Sequence, residues 1–317
     1  LMILQMLNPK QGALAVGIIG ALFYLVPLLW FWIGKVYATE RFVKQVLLWG
    51  VLPMAVLASF VGLYQTFVGL LPHQEIWVKV AGYTALYVDD HVRAFGFFPS
   101  SEEYVYYLGV GATIACAFVF QKSWVHLALV ALLIGTAFLG GTRTIIVLFL
   151  FAAVIMWAVQ GRTIKTWVPR LVFAVVIGLV GLFWSLQQVS SSGATGQAAS
   201  MMARQAELLD PSQTTAGGHV GLIANGIYRG FATPIGHGLG ATTHAAGRYG
   251  INIGGSEKDF SDMFIALGFI GGLLYLAVMG LAFWNAAMYW HLTRKTLGLV
   301  MLGIIVVMLG QWLKGGL

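Results

Sequence analysis

The stretch Leu127–Leu139 (LALVALLIGTAFL), Gly140-Gly141-Thr142-Arg143-Thr144 and Ile145–Val159 (IIVLFLFAAVIMWAV) decides the fold. Two unbroken apolar runs meet at a glycine turn, so the chain crosses an apolar layer and returns. Such runs read as helices, because the strands of an outer-membrane barrel alternate apolar and polar residues over ~10 positions. Arg143 stands at the edge of the returning run. An arginine there is costly to desolvate and is usually functional. Thr142 is placed to cap the helix that follows. Backbone N–H groups, the positive helix end and the guanidinium then form one anion site. A planar guanidinium binds phosphate through two parallel hydrogen bonds, which suits a diphosphate. The plain alternative is an arginine that snorkels to lipid headgroups.

The whole chain has this character. Its 317 residues are 59% hydrophobic and 9% charged, with a mean hydropathy of +0.84. A soluble domain carries about 25% charged residues. The composition therefore excludes a water-soluble globular enzyme and predicts an all-α, polytopic transmembrane helical bundle. The 11 Trp and 12 Tyr suit anchoring at membrane interfaces. The net charge of +7 does not point to nucleic acid, because many of the cations fall in short loops between apolar runs. Cys116 is the only cysteine, so no internal disulfide forms. The chain opens on Leu1 and stops just past an apolar run, and it reads as a fragment of a longer membrane protein.

About eight spans of the ~20 residues that a bilayer requires are predicted. They lie at 13–34, 46–71, 104–120, 124–140, 143–160, 171–187, 260–285 and 296–313. The short loops 35–45, 121–123, 161–170 and 286–295 hold Lys35, Arg41, Lys44, Lys122, Arg162, Lys165, Arg170, Arg294 and Lys295, with Glu40 the only acid. The positive-inside rule makes that side cytoplasmic. The segment 72–103 and the loop 188–259 then face outward, and they collect nearly all the acids. Three regions follow: transmembrane helices over 1–187 with the outer segment 72–103, a large extracytoplasmic loop over 188–259, and C-terminal transmembrane helices over 260–317. Within the loop, Ser190–Ser200 (SSSGATGQAAS) is of low complexity.

Several outward-facing motifs carry candidate chemistry. Arg93, in Arg93-Ala94-Phe95-Gly96-Phe97-Phe98-Pro99, is a second candidate phosphate contact. Ser101 is the expected cap of the next span, with Glu102 and Glu103 complementing its dipole. Pro234-Ile235-Gly236-His237-Gly238-Leu239-Gly240 lacks the strand–turn–helix setting of a dinucleotide fingerprint. It reads as a glycine-rich turn, or else as a loop whose exposed N–H groups approach a ligand. Ser256 and Asp259 have capping-box-like spacing. Asp262 lies nearly a turn deeper, where a carboxylate must pair with an arginine or face a wet cavity. One acid here is suited to take a proton from an attacking sugar hydroxyl. His219, His237 and His244 have no metal-ligand spacing, so no metal is expected.

The order of these motifs resembles that of bacterial O-antigen ligases and O-antigen polymerases, over nearly the whole chain. Leu7-Asn8-Pro9-Lys10-Gln11, the Arg93–Pro99 motif, Gly141-Thr142-Arg143-Thr144, Glu207-Leu208-Leu209-Asp210-Pro211, the Pro234–Gly240 motif and Ala266-Leu267-Gly268-Phe269-Ile270-Gly271-Gly272 occur in the family's order. The resemblance implies a membrane glycosyltransferase with a metal-independent, cofactor-free site on the periplasmic or extracellular side of a bacterial inner membrane. Such an enzyme takes a glycan from a polyprenyl diphosphate and joins it to a hydroxyl of a glycan or lipid acceptor. Arg143 and Arg93 would hold the leaving group. Glu257, Asp259 or Asp262 would serve as base. Arg204, His219, Gly236, His237, Gly238 and Lys258 would bind substrate. Ligases typically carry a His-Asn pair where this chain has Glu257-Lys258, and often an arginine where His219 stands. Polymerisation is therefore favoured over ligation. A transporter of an anion or glycolipid is the alternative of another class. The charges collect on one face and nearly every span is uncharged at its middle, which favours the enzyme.

Overall fold

The computed structural model describes residues 1–81, 87–88, 91–120, 123–141, 143–160, 216–249 and 259–314. In chain order they form α1 (Met2–Met6), a 3-10 turn at Pro9–Gln11, α2 (Leu14–Tyr37), α3 (Glu40–Gln45), a π-helical turn at Val46–Val51, α4 (Leu52–Phe67) and α5 (Pro72–Ala81). An antiparallel ladder follows, β1 (Tyr87–Val88) with β2 (His91–Val92), in which Tyr87 faces Val92. Then come α6 (Ser101–Val119), α7 (Trp124–Leu139), α8 (Arg143–Ala158), α9 (Ala216–Ala232), α10 (His244–Arg248), α11 (Asp259–Thr293) and α12 (Thr296–Lys314).

Among the described residues, three stretches are long and apolar enough to cross a membrane: Leu14–Tyr37, Glu40–Phe67 and Phe260–Thr293. They coincide with the spans predicted at 13–34, 46–71 and 260–285. Trp124–Leu139, Thr144–Ala158 and Thr296–Leu309 are shorter apolar helices at three further predicted positions, and α6 (Ser101–Val119) overlaps the one predicted at 104–120. The span predicted at 171–187 and the loop residues 188–215 and 250–258 lie outside the described residues. On α2, Trp30 and Phe31 are each 67% exposed. An apolar surface of this kind is covered by lipid in a membrane protein. The chain is a helical membrane protein.

The rod Glu40–Phe67 passes through the π turn for a local reason. Pro53 has no N–H and its ring crowds the carbonyl four residues back. The wider turn makes room, and Leu52 N–H reaches back five residues to the Leu47 carbonyl.

The helices divide into two compact units. The first comprises Leu1–Val43, Thr215–Asn285 and Leu309–Leu317; the second comprises Lys44–Thr214 and Ala286–Met308. In the first, Leu239, Met263, Ala266 and Leu267 form a small core, with Tyr24, Leu25 and Tyr275 packed on it. Gly226 and Gly230 line one face of α9, and Cβ atoms there would come within 2.7 Å of Ser261 Cβ and 2.8 Å of Phe264 Cβ. Small residues at this spacing allow α9 to approach α11 closely. An apolar groove of about 620 Å³ opens beside Phe23, Pro27, Leu267, Leu274 and Tyr275.

The second unit is built around α6. Tyr104, Leu108, Ala112, Ile114 and Ala115 are fully buried, surrounded by α4, α7, α8 and the α12 residues Val306 and Val307. Gly111 sits against Ala55 and Leu133, and Gly109 against Ile145. Ser59 and Thr136 share a buried hydrogen bond of 2.7 Å between α4 and α7. Trp290 Nε1 donates to the Val159 carbonyl at 3.1 Å, holding the end of α11 to that of α8.

Candidate functional site

In the second unit, the Arg93–Pro99 motif is held by glutamines. Gln65 is buried. Its Oε1 accepts from Phe95 N–H at 2.9 Å and Gly96 N–H at 2.8 Å, and its Nε2 donates to the Gly96 carbonyl at 3.1 Å. Gln74 Nε2 donates to the same carbonyl at 3.4 Å. A buried amide satisfying three backbone groups fixes a turn that has no helix or sheet to fix it. Gly96 has φ +58°, and a Cβ there would meet the Tyr104 ring at 2.7 Å. Glycine is required on both grounds.

This turn delivers Arg93 to the end of α7. Arg93 is 8% exposed, and its Nε donates to the Gly140 carbonyl at 3.0 Å. Gly140 closes α7, so the permanent positive charge meets the negative end of that helix. Gly141 turns the chain at φ +72°, and α8 starts at Arg143. The two arginine motifs, 47 residues apart between Arg93 and Gly140, are therefore neighbours. Thr142 and the Arg143 side chain lie outside the described residues.

The cap of α6 differs from the expectation. Ser100, not Ser101, is the N-cap: its Oγ accepts from Glu103 N–H at 3.3 Å and donates to the Glu103 carboxylate. Ser100 lies in the extended region at φ −138°, as a cap requires, whereas Ser101 is already helical. Ser101 is buried, and its hydroxyl donates to the Arg93 carbonyl at 3.4 Å.

The first unit holds a second polar assembly, around a break in α11. Gly268 has φ +75° and ψ −179°, a backbone conformation essentially confined to glycine. The break releases the carbonyls just before it from their helical partners. His237 N–H donates to the Ile265 carbonyl at 3.0 Å, and Gly238 N–H to the Ala266 carbonyl at 3.1 Å. Gly236, at φ +79°, lies against Ala266 and Gly268 without room for a Cβ.

The Leu7–Gln11 motif supports this turn from the other side. Asn8 Nδ2 donates to the Gly236 carbonyl at 3.3 Å and to Gln5 Oε1 at 2.7 Å. The Gln5 side-chain amide donates to the Ile235 carbonyl, and the Gln5 backbone carbonyl accepts from Leu239 N–H at 3.2 Å. Gln11 Oε1 accepts from Gly240 N–H at 3.4 Å. Gly236 N–H donates to the Thr233 carbonyl at 2.8 Å. All the N–H groups from Gly236 to Gly240 thus have partners within the protein. Gly236 and Gly238 serve the turn itself rather than presenting open N–H groups to a ligand.

His237 is half-buried in this turn. Its Nδ1 lies 3.3 Å from Thr233 Oγ1 and 3.3 Å from the Ile265 carbonyl. Burial lowers its pKa, the Ile265 carbonyl opposes this, and the Arg229 and Lys10 charges lower it further. The ring is therefore neutral at neutral pH. Asp262 is 5% exposed on α11 and is partnered. Asp259 opens α11 and His219 lies in α9, but their side chains, like Arg204, Glu257 and Lys258, lie outside the described residues. Among the described residues no group of three His, Cys, Asp or Glu is placed to hold a metal.

Sequence reading names the arginines and glycines of these assemblies but gives no role to Gln5, Gln65 and Gln74. The available signal is an amide within or beside an apolar run, where it must find a partner. Compared with protein-family models, with curated proteins and with solved structures, the chain matches none.

Proposed function

We propose that this protein is a membrane glycosyltransferase that uses a polyprenyl-diphosphate-linked glycan as donor and an acceptor hydroxyl as nucleophile, extending a bacterial surface polysaccharide. The observation that carries the reading is the buried Arg93 guanidinium at the α7–α8 corner, where Arg143 begins the next helix. A buried arginine stays charged. A fixed charge of this kind beside the start of α8 suits an anion that gains charge as its bond to the sugar breaks, and it stabilises a leaving diphosphate. The order of motifs shared with O-antigen polymerases and ligases supports the same chemistry, with the site on the outer face of the inner membrane. Glu257, Asp259 and Asp262 are the loop-side acids that would orient the acceptor.

Polymerisation is preferred to ligation because Glu257-Lys258 stands where ligases carry a His-Asn pair. A transporter draws support from broken helices whose open carbonyls coordinate cargo. Here the carbonyls of Ile265 and Ala266 at the break accept from the 237–238 turn, which favours a scaffold.

The test is a transfer assay on full-length protein in detergent, with lipid-diphosphate-linked glycan and EDTA. The expected result is a ladder of longer lipid-linked glycans. Absence of a ladder, together with glycan passing to an added non-glycan acceptor, would replace polymerase by ligase. Absence of both products would refute the transferase reading.

A further inference from the structure

We propose that Glu102 accepts the proton from the attacking hydroxyl, an inference that rests on the transferase reading above. The edge of α6 carrying residues 102, 105 and 109 faces the α7–α8 corner. A Cβ at Gly140 would lie 2.5 Å from Val105 Cγ2, and one at Gly109 would lie 2.5 Å from Ile145 Cδ1. Val105 therefore abuts the end of α7, and Gly109 abuts the first turn of α8. Residues three and four apart share a helix edge, so Glu102 stands one turn before Val105, at the mouth of the same corner. From the other side, Ser101 donates to the Arg93 carbonyl at 3.4 Å, and Arg93 reaches Gly140 at 3.0 Å. Glu102 thus lies one helical turn from the residue that abuts this corner, in the same unit as Arg93 and the start of α8.

The two acids at this helix start are not equivalent. Glu103 is exposed and makes the cap with Ser100. Glu102 is half-buried, one turn from Tyr106. The Tyr106 hydroxyl is buried and has no hydrogen-bond partner among the described residues. Tyr106 thus places a buried hydroxyl one helical turn from Glu102. In the proposed step the acceptor oxygen bonds to the anomeric carbon as the bond from that carbon to the diphosphate oxygen breaks. The hydroxyl proton passes to the Glu102 carboxylate, and the electron pair leaves on the diphosphate beside the arginines.

The experiment compares full-length wild type, Glu102→Gln and Glu103→Gln. It measures turnover with lipid-diphosphate-linked glycan and, separately, affinity for polyprenyl diphosphate. Glu102→Gln should lower turnover by at least ~100-fold, the scale of lost proton transfer, while affinity stays within about threefold. Glu103→Gln should remain near wild type. Turnover of Glu102→Gln within about tenfold of wild type, or a loss that merely follows lost affinity, overturns the assignment. If Glu102→Gln does not fold, Glu102→Asp replaces it. That variant keeps the carboxylate but withdraws it, so reduced turnover is expected and undiminished turnover overturns the proposal. A folded wild type with no turnover refutes the transferase reading, and the role of Glu102 with it.

Discussion

The break at Gly268 and the corner at Gly140 solve the same problem with different materials. Each is a place where a helix ends amid apolar surroundings and leaves carbonyls to be satisfied. At Gly268 the donors are neutral: the N–H groups of His237 and Gly238, with Asn8, Gln5 and Gln11 supporting the turn that presents them. At Gly140 one donor is the guanidinium of Arg93. A neutral N–H closes a carbonyl at no electrostatic cost. A buried guanidinium is expensive to desolvate. The comparison teaches that the first assembly closes its carbonyls with neutral groups, whereas the second holds a buried permanent charge at a helix end, the feature on which the proposed diphosphate site rests.

The largest effect that can break this contrast is at Gly268. Gly268→Ala places a Cβ against the Pro234 carbonyl, at a backbone conformation closed to alanine. It should destabilise the protein by at least about 3 kcal/mol, or prevent folding, as read by thermal unfolding in detergent. A variant of wild-type stability would show that the break is not required. Next in size is Gln65→Leu. It strips partners from Phe95 N–H and Gly96 N–H, and a loss of roughly 2–3 kcal/mol is expected. Because the same amide positions Arg93, transfer activity should fall further than folding alone explains, measured on the folded fraction. Equal losses would make this corner scaffold as well.

The smallest effect belongs to His237. The folded protein takes up this proton less readily than the unfolded chain does, since burial and the nearby Arg229 and Lys10 charges lower the pKa. Its contribution to stability is therefore complete above the ordinary histidine range near pH ~6.5 and is lost as pH falls through and below it. Melting temperatures of wild type should drop between pH 7 and pH 5 by slightly more than those of His237→Gln. Parallel curves would remove His237 from the account.

Much of the helical fold is legible in the apolar runs, because a run of ~20 apolar residues has few other destinations. The runs 13–34, 46–71 and 260–285 all coincide with membrane-length helices. Legibility ends where tertiary contacts choose among equivalent residues. Ser100 and Ser101 offer the same hydroxyl, and only the approach of the Arg93 carbonyl draws Ser101 inward and leaves Ser100 to cap. The π turn before Pro53 and the break at Gly268 leave the apolar pattern unchanged, so hydropathy does not reveal them. The arginines are legible as charges at the ends of apolar runs. That Arg93 reaches the end of α7 depends on Gln65 and Gln74, distant in sequence from both the arginine and the turn.

The central claim is that the α7–α8 corner binds a diphosphate. The most direct measurement is the affinity of full-length protein in detergent for polyprenyl diphosphate, compared among wild type, Arg143→Ala and Arg93→Ala at matched thermal stability. The account predicts that each substitution weakens binding by at least about tenfold, the value of one lost charge-assisted contact. Undiminished affinity in both variants would contradict it.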